Sequence, residues 1–523
     1  MLAGPARCEA ARPRSPRREG IHAPKRWDGG ASLGADPRRE RRRPGRLHAR
    51  PSPVRGRRSQ PEPQSLEPRP LGGQRQRHSR FDTGRSARGA RSRDRPGQRF
   101  HLRAASRPLR AALPRSRRRA GHLLKGAATS DPVSRRATAL LDAGLRPFFL
   151  AAGFYAALGV AWWVAFLWGW LPLPTSWPAV WWHGHEMVFG FGTAAISGFL
   201  LTAVPQWTGT RPVSGAPLGL LFLLWASGRI VFLAGSTPPA VALIDLAYLP
   251  VLAATVTAPM LRGGGRKNFV FPLLLTAMWI GNLLCHFSAD AWIQDQMRRG
   301  LHLGVYGMVG MVAILAGRVV PGFTSNALRR RGKPAVIRTP QPIEWAAKIS
   351  LLVTLGAAVL GADIRFQGTA ALLSGALFAL RMRGWQSLQT VGEPIVWILH
   401  AGHGFLTLAL LCKGITDLTG LLPATAAFHA FTAGTIGTMV IGIMTRASLG
   451  HTGRPLVVRP AISVAYCLVL FGALVRIFGA PFAPELFSDL LLVGGGAWAA
   501  GYAIFTWVYL PILIAPRADS RPS

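Results

Sequence analysis

The stretch WWHGHEMVFGFGTAAISGFLLTAVPQWTG, residues 181–209, decides the fold class of this chain. It is an apolar run long enough to cross a lipid bilayer, for which an α-helix needs about 20 residues. His183, His185 and Glu186 stand at its beginning. Ionisable side chains are costly within a membrane unless they bind something. The stretch therefore predicts a transmembrane helix that begins with a candidate ligand site.

Similar apolar runs follow one another from about residue 146 to the C-terminus. Each is close to the length that spans the hydrocarbon core of a bilayer. Together they predict an all-α polytopic membrane protein, with about twelve transmembrane helices in one bundle. The predicted spans are 147–170, 183–206, 216–235, 239–261, 269–288, 299–321, 344–361, 366–382, 394–419, 424–445, 459–478 and 487–514.

Basic residues collect in the loops that follow the even-numbered spans, as they do in cytoplasmic loops. The loop after span four contains the segment RGGGRK, residues 262–267, and the loop after span six contains RRRGKPAVIR, residues 329–338. Loops after odd-numbered spans contain Pro-rich or acidic segments such as DAWIQDQ, residues 290–296. This asymmetry predicts that both termini are cytoplasmic and that spans two, six and ten begin at the outer side.

Residues 1–135 differ from the rest of the chain in composition. They contain 36 of the 62 Lys and Arg residues and 10 of the 22 Asp and Glu residues, together with many Pro, Gly and Ser residues. Such a segment cannot bury enough apolar surface to offset the entropy of ordering, so a disordered basic tail is predicted. It could serve as a basic arm for anionic lipid or nucleic acid.

The absence of methionine between Met1 and Met187 favours another interpretation of this tail, namely a start site assigned too far upstream. No nucleic-acid partner is therefore expected. The membrane domain is predicted to cover residues 140–515, and residues 516–523 form a short C-terminal tail.

The four cysteines, Cys8, Cys285, Cys412 and Cys467, lie far apart. They form neither a C-x-x-C pair nor a C-x-x-C-H haem attachment sequence, so no disulfide framework is indicated. Any haem would be held noncovalently by histidine ligation and packing, as b-type haems are.

Seven of the thirteen histidines lie within or at the ends of predicted spans. The direction of each span places most of them near the outer side, and places two of them deeper in span nine. Imidazoles from several helices at one depth suit a haem or copper centre, whereas a proton relay or a transporter site is the alternative. The seven are His183, His185, His286, His302, His400, His403 and His429.

Helical geometry separates some of these histidines and pairs others. His183 and His185 point about 200° apart around a helix and should not bind the same ion. His400 and His403 are three residues apart and share one helix face. Glu186 is expected either to fix the tautomer of a neighbouring imidazole or to carry protons.

Three further polar residues lie within predicted spans. Arg229 in span three and Asp245 in span four are each about six residues from their shared loop, so a buried structural ion pair is expected. Tyr306 lies one turn after His302 and faces the same side of its helix. A tyrosine packed with its hydroxyl bonded to a neighbour is the expected role.

Six motifs in order along the chain resemble one known family, the NnrS family. The resemblance covers nearly all of residues 140–515 and departs from the family pattern at Gly184, Gln206 and His403, where Ala, Asn and an aromatic residue are more usual. The motifs are LDAGLRPFFL (141–150), the stretch 181–209 quoted above, GRVVPGFTSNALRR (317–330), WILHAGHGF (397–405), FHAFTAG (428–434) and MTRASLGHTGRPL (444–456).

The resemblance implies a multi-pass protein of the bacterial cytoplasmic (inner) membrane that carries haem and copper. It also implies a role in the response to nitric oxide and in protection from nitrosative stress. Its partners would be the lipid bilayer and nitric oxide or a similar small gas. A haem-copper-type gas reductase or oxidase and a proton-coupled secondary transporter are the alternatives.

Cofactor ligands are expected among the histidines singled out above. The residues expected to bind haem b or copper are His183, His185, His302, His400 and His429. The residues expected as further metal ligands are His286, His403 and Glu186.

Overall fold

The computed structural model describes residues 139–173, 175, 177–234, 238–287 and 293–519. Throughout these ranges the regular secondary structure is helical and contains no β-strand. The predicted all-α fold is therefore confirmed. The tail predicted at residues 1–135 lies outside the described residues.

Twelve long helices account for most of the described chain, and we number them α1 to α12. Their bounds are Leu145–Leu167, Ala179–Thr208, Ala216–Leu233, Pro238–Arg262, Val270–His286, Ile293–Arg330, Gln341–Leu360, Ile364–Arg383, Pro394–Thr419, Ala424–His451, Pro460–Gly479 and Phe487–Leu513.

Eleven of the described helices are long and apolar enough to cross a membrane, and α8 is the exception. Its most deeply buried charge, Arg381, makes two parallel hydrogen bonds of 2.6 and 2.7 Å to the Glu344 carboxylate on α7. This ion pair neutralises the buried guanidinium. Because α8 packs between α7 and α9, it completes the predicted set of about twelve helices.

Two helices extend beyond the predicted spans. Helix α6 continues to Arg330, although the predicted span ends at residue 321, and α10 continues to His451 rather than to residue 445. His451 therefore ends a helix, although the predicted span stops at residue 445. Hydropathy marks where a helix leaves the apolar layer, whereas the backbone hydrogen bonds continue into the polar region beyond it.

Helices α2 and α10 share an irregularity close to their beginnings. Each changes from α-helix to a π-helical segment of seven residues, Glu186–Gly192 in α2 and Ala430–Ile436 in α10. In both helices the segment begins directly after a histidine, His185 or His429. Such segments within α-helices are frequent at functional sites.

The helices pack as three successive groups of four, and the same neighbours recur in each group. The pairs α1–α2, α3–α4 and α4–α5 recur as α5–α6, α7–α8 and α8–α9. They recur again as α9–α10, α11–α12 and α12–α1, so that the last contact closes a ring. Helices α2, α6 and α10 also contact one another, which places these three at the centre of the bundle.

Candidate metal centre

A cluster of polar side chains is buried where the beginning of α2 meets α3, α4 and α5. Two members come from α2, because the change to π-helix leaves both His185 and Glu186 facing the interior. Helices α3, α4 and α5 contribute Arg229, Asp245 and His286, respectively. The side chains of all five are at most 5% exposed.

Arg229 connects the two carboxylates of the cluster. Its Nη1 donates a hydrogen bond of 2.8 Å to Oε1 of Glu186, and its Nη2 donates to Oδ1 of Asp245. The predicted Arg229–Asp245 ion pair is therefore confirmed, with Glu186 as a second partner. The hydroxyl of Tyr155 donates to the other oxygen of Glu186, so both oxygens of that carboxylate are engaged.

Close packing around this cluster requires a glycine in the π-helical segment of α2. A Cβ atom at Gly190 would lie 2.6 Å from the ring of Tyr155 and 3.0 Å from Nη1 of Arg229. The Gly190 carbonyl also accepts a hydrogen bond of 3.1 Å from the Trp225 indole. The local shape of α2 therefore lets α1 and α3 bring Tyr155 and Arg229 to Glu186.

Both ring nitrogens of His185 face oxygen atoms. Nδ1 lies 2.9 Å from Oε1 of Glu186, and Nε2 lies 2.8 Å from Oδ1 of Asn282. The orientation of the Asn282 amide is fixed because its Nδ2 donates to Oδ2 of Asp245 at 2.8 Å. Each nitrogen of His185 therefore needs a proton, unless a cation replaces the proton on Nε2.

His185, Asp245 and His286 together present three ligand atoms to one point. Oδ2 of Asp245 lies 3.4 Å from Nε2 of His185 and 3.0 Å from Nε2 of His286. All three atoms lie within 4.8 Å of one another. Ligand atoms bound to one metal ion at about 2.1 Å lie roughly 3 to 3.5 Å apart, so the two distances from Oδ2 of Asp245 suit a shared metal ion.

The balance of charge in the cluster also favours a cation. Glu186 and Asp245 contribute two negative charges, and Arg229 contributes one positive charge. With both histidines neutral, one negative charge would stay buried and unbalanced, which is costly in a low-dielectric interior. Either a proton on His185 or a bound metal ion removes this imbalance.

The other predicted histidines lie apart from this cluster. The ring of His183 stacks on Trp163 of α1, with ring centres 4.6 Å apart, and its buried Nδ1 has no hydrogen-bond partner. On α10, Nδ1 of His429 donates to the Thr425 carbonyl at 2.7 Å, which leaves Nε2 with the lone pair. As predicted, His183 and His185 face different neighbours.

His302 lies against aromatic side chains near the beginning of α6. Its ring stacks on Tyr306, at 5.5 Å between ring centres, and lies 5.0 Å from the ring of Phe428. Tyr306 is buried and also contacts Phe431. The packing expected for Tyr306 therefore agrees with its surroundings, whereas the expected hydrogen bond of its hydroxyl stays a prediction.

His400 and His403 lie on α9, and both contact Trp385. Both nitrogens of His400 have partners, because Nε2 lies 2.8 Å from Oγ1 of Thr324 and Nδ1 lies 2.9 Å from Oγ of Ser387. Since the Thr324 hydroxyl donates to the Val320 carbonyl, Nε2 is the donor in the first contact. In contrast, neither nitrogen of His403 has a hydrogen-bond partner, although the side chain is fully buried. The ring of His403 instead packs 4.4 Å from the Trp385 ring.

Part of this site was not predicted from the sequence. Asn282 and Tyr155 were not singled out, and Asp245 was expected only as a structural partner of Arg229. An Asp and an Asn within apolar runs were the available signal, because buried polar side chains need partners. Their shared location depends on contacts among the five helices α1 to α5, which the spacing along the chain does not contain.

A family model described as NnrS protein matches residues 139–517, which includes all twelve helices. No curated protein matches the chain.

Proposed function

The chain belongs to the NnrS family, and from this premise we propose that it is a haem- and copper-binding protein of the bacterial inner membrane. Its role would be in the response to nitric oxide and in protection from nitrosative stress. The observation that carries the proposal is the buried group of His185, Asp245 and His286, in which three ligand atoms converge beside an excess of negative charge.

Copper fits the donor set of this group. Imidazole nitrogens suit copper, and among the common divalent metals copper has the highest affinity for such sites. His185 and His286 would supply two imidazoles and Asp245 one carboxylate oxygen. The cluster without a metal has one excess negative charge when both histidines are neutral. A divalent cation would change this net charge to one positive charge.

The surrounding side chains are arranged to hold these ligands in place. Glu186 contacts Nδ1 of His185, and this contact orients the ring so that Nε2 faces Asp245. Outer partners of this kind fix the tautomer and orientation of metal-binding histidines. Arg229 holds Glu186 and Asp245 on either side of it and so keeps the two carboxylates apart.

His403 could hold haem through an imidazole nitrogen, because a buried imidazole without a hydrogen-bond partner is otherwise costly. Next to it on α9, Gly404 and Thr407 line a groove of about 520 Å³ that also includes Arg383, whereas the His403 ring is not part of the lining. A Cβ at Gly404 would meet no atom within 4 Å, so the groove is open there. Arg383 could pair with a haem carboxylate.

When bound, haem and copper would supply open coordination positions and accessible redox states for a small gas. The chain itself would hold the imidazoles, exclude water from the copper ligands and balance the buried charge. Because basic residues follow the even-numbered helices, we place both termini in the cytoplasm and the His185 cluster towards the outer side.

The experiment is metal analysis and absorption spectroscopy on the full chain purified in detergent. Spectra are taken in the oxidised state, the reduced state and the reduced state with nitric oxide. The proposal predicts copper and b-type haem in the same sample, with a haem spectrum that shifts when nitric oxide is added.

Two variants test whether the copper is bound at the proposed residues. His286→Ala should lower the copper content, whereas His451→Ala, at the end of α10 and outside the cluster, should leave it unchanged. If the protein contains neither haem nor copper after expression with both supplied, the proposal is wrong. The buried Glu186 and histidines would then favour a proton-coupled transporter.

A further inference from the structure

A cavity of about 60 Å³ lies where the three central helices meet. It is lined near the middle of α2 by Ala195, of α6 by Met308 and Met311, and of α10 by Met439 and Met444. Ala195 follows His185 by ten residues, which is about 15 Å along a helix. The cavity is therefore separate from the candidate copper cluster.

The lining of this central cavity consists of apolar side chains. One water molecule needs about 10 to 15 Å³ by the same measure of volume, and it also needs two to four polar partners. The cavity offers several times that volume, but its side chains provide no hydrogen-bonding group other than weak thioether sulfurs. A cavity of this kind stays dry and accepts small apolar ligands.

The two ends of the cavity differ. At the end towards the His185 cluster, α2 and α6 approach closely, because a Cβ at Gly192 would lie 2.5 Å from Sδ of Met308. At the other end the lining residues Phe199, Leu315 and Ile443 are only partly buried. A ligand would therefore enter from the end of the bundle that we place on the cytoplasmic side.

We propose that the central cavity is a binding site for a small neutral apolar molecule, namely a diatomic gas such as nitric oxide. The identity of the gas rests on the proposed function, whereas the site itself rests on the volume and lining of the cavity. Binding there requires no metal and no hydrogen bond. The cavity would concentrate the gas in the membrane interior, among the three helices that contain the candidate ligands His185, His302 and His429.

Xenon is the probe for this site, because it is apolar and is visible by anomalous X-ray scattering. Crystals of the full chain are pressurised with xenon, and the same protein preparation is analysed for metals. We expect one xenon peak in van der Waals contact with Ala195, Met308 and Met439. The peak should appear whether or not the protein contains copper and haem, so failure of the proposed function would leave this result intact.

A variant that fills the cavity, compared with a control variant outside it, tests whether xenon binds there. Ala195→Leu adds three carbon atoms to the lining and should abolish the xenon peak, whereas Ala254→Leu, on the exposed face of α4, should leave it unchanged. If Ala195→Leu does not fold, Met308→Ala replaces it. That variant enlarges the cavity and should increase the xenon occupancy.

Three results would overturn the proposal. The first is wild-type protein without a xenon peak in the cavity, and the second is a peak of equal height in the Ala195→Leu variant. The third is an anomalous copper signal from the cavity, because methionine sulfurs also bind Cu(I) and the site would then be a metal site.

Discussion

Nε2 of His286 lies 3.0 Å from Oδ2 of Asp245, across the contact between α5 and α4 in the apolar interior of the bundle. This pair brings an imidazole from one helix to a carboxylate on its neighbour. The same oxygen faces Nε2 of His185 at 3.4 Å. The Asp245 carboxylate therefore faces both histidines of the cluster.

Asp245→Asn tests the carboxylate as a metal ligand. The amide keeps the size of the side chain but removes its charge, so we expect the copper content to fall at least tenfold while the chain still folds. The content is measured by elemental analysis after purification. Asp417→Asn is the control, since Asp417 pairs with Lys413 on α9 and belongs to another part of the bundle. Equal copper loss in both variants would contradict the assignment.

Arg229→Met tests the charge balance of the same cluster. The substitution leaves Glu186 and Asp245 buried without their shared cation. Breaking one side of a buried ion pair costs about 3 to 5 kcal/mol. We therefore expect a markedly lower thermal unfolding temperature for the metal-free protein in detergent.

The double variant Arg229→Met with Glu186→Gln removes one of the two orphaned charges. It should recover part of the lost stability, because the remaining carboxylate of Asp245 can still be balanced by His185. The single variant Glu186→Gln completes the comparison. If the stability loss of the double variant equals the sum of the losses of Arg229→Met and Glu186→Gln, Arg229 and Glu186 do not interact.

The groove lined by Gly404 and Thr407 predicts a variant that would block haem without disturbing the fold. Gly404→Leu places its side chain in open space, so the helix should tolerate it. We expect the b-type absorption band of the purified protein to decrease several-fold, with the copper content unchanged. Gly356→Leu, a substitution at another open glycine in α7, should keep the full band. If the Gly404→Leu protein binds haem fully, the groove is not the haem site.

Gly317 on α6 lies in close packing, so even a substitution by alanine should destabilise the protein. A Cβ there would overlap the guanidinium of Arg381, which Glu344 holds through two hydrogen bonds. Gly317→Ala should therefore displace this buried pair and destabilise the protein by about 2 kcal/mol. By contrast, Gly356→Ala should stabilise it by up to about 1 kcal/mol. The unfolding temperatures of the two variants are measured and compared. An unchanged unfolding temperature for Gly317→Ala would contradict the close contact between Gly317 and Arg381.

Apolar run length predicted the number and positions of the helices, because the bilayer imposes nearly the same length on each span. It failed at the ends of α6 and α10, where the helix continues beyond the apolar layer to Arg330 and His451. The ion pair of Arg229 and Asp245 was predictable because two opposite charges lay at matching depths on consecutive helices.

The grouping of the histidines was not predictable in the same way. Span direction gives the depth of a side chain, but it does not give the neighbours around the ring of helices. His185 and His286 meet because α2 and α5 both pack beside α4. The π-helical segment after His185 also rotates the following residues relative to a regular α-helix, and helical periodicity alone does not show it.

Electron paramagnetic resonance of the copper-loaded protein tests the central claim most directly. With His185, Asp245 and His286 as ligands, the Cu(II) spectrum should show coupling to two imidazole nitrogens, and His286→Ala should reduce this to one. A wild-type spectrum without nitrogen coupling, or one that His286→Ala leaves unchanged, would contradict a copper site at this cluster.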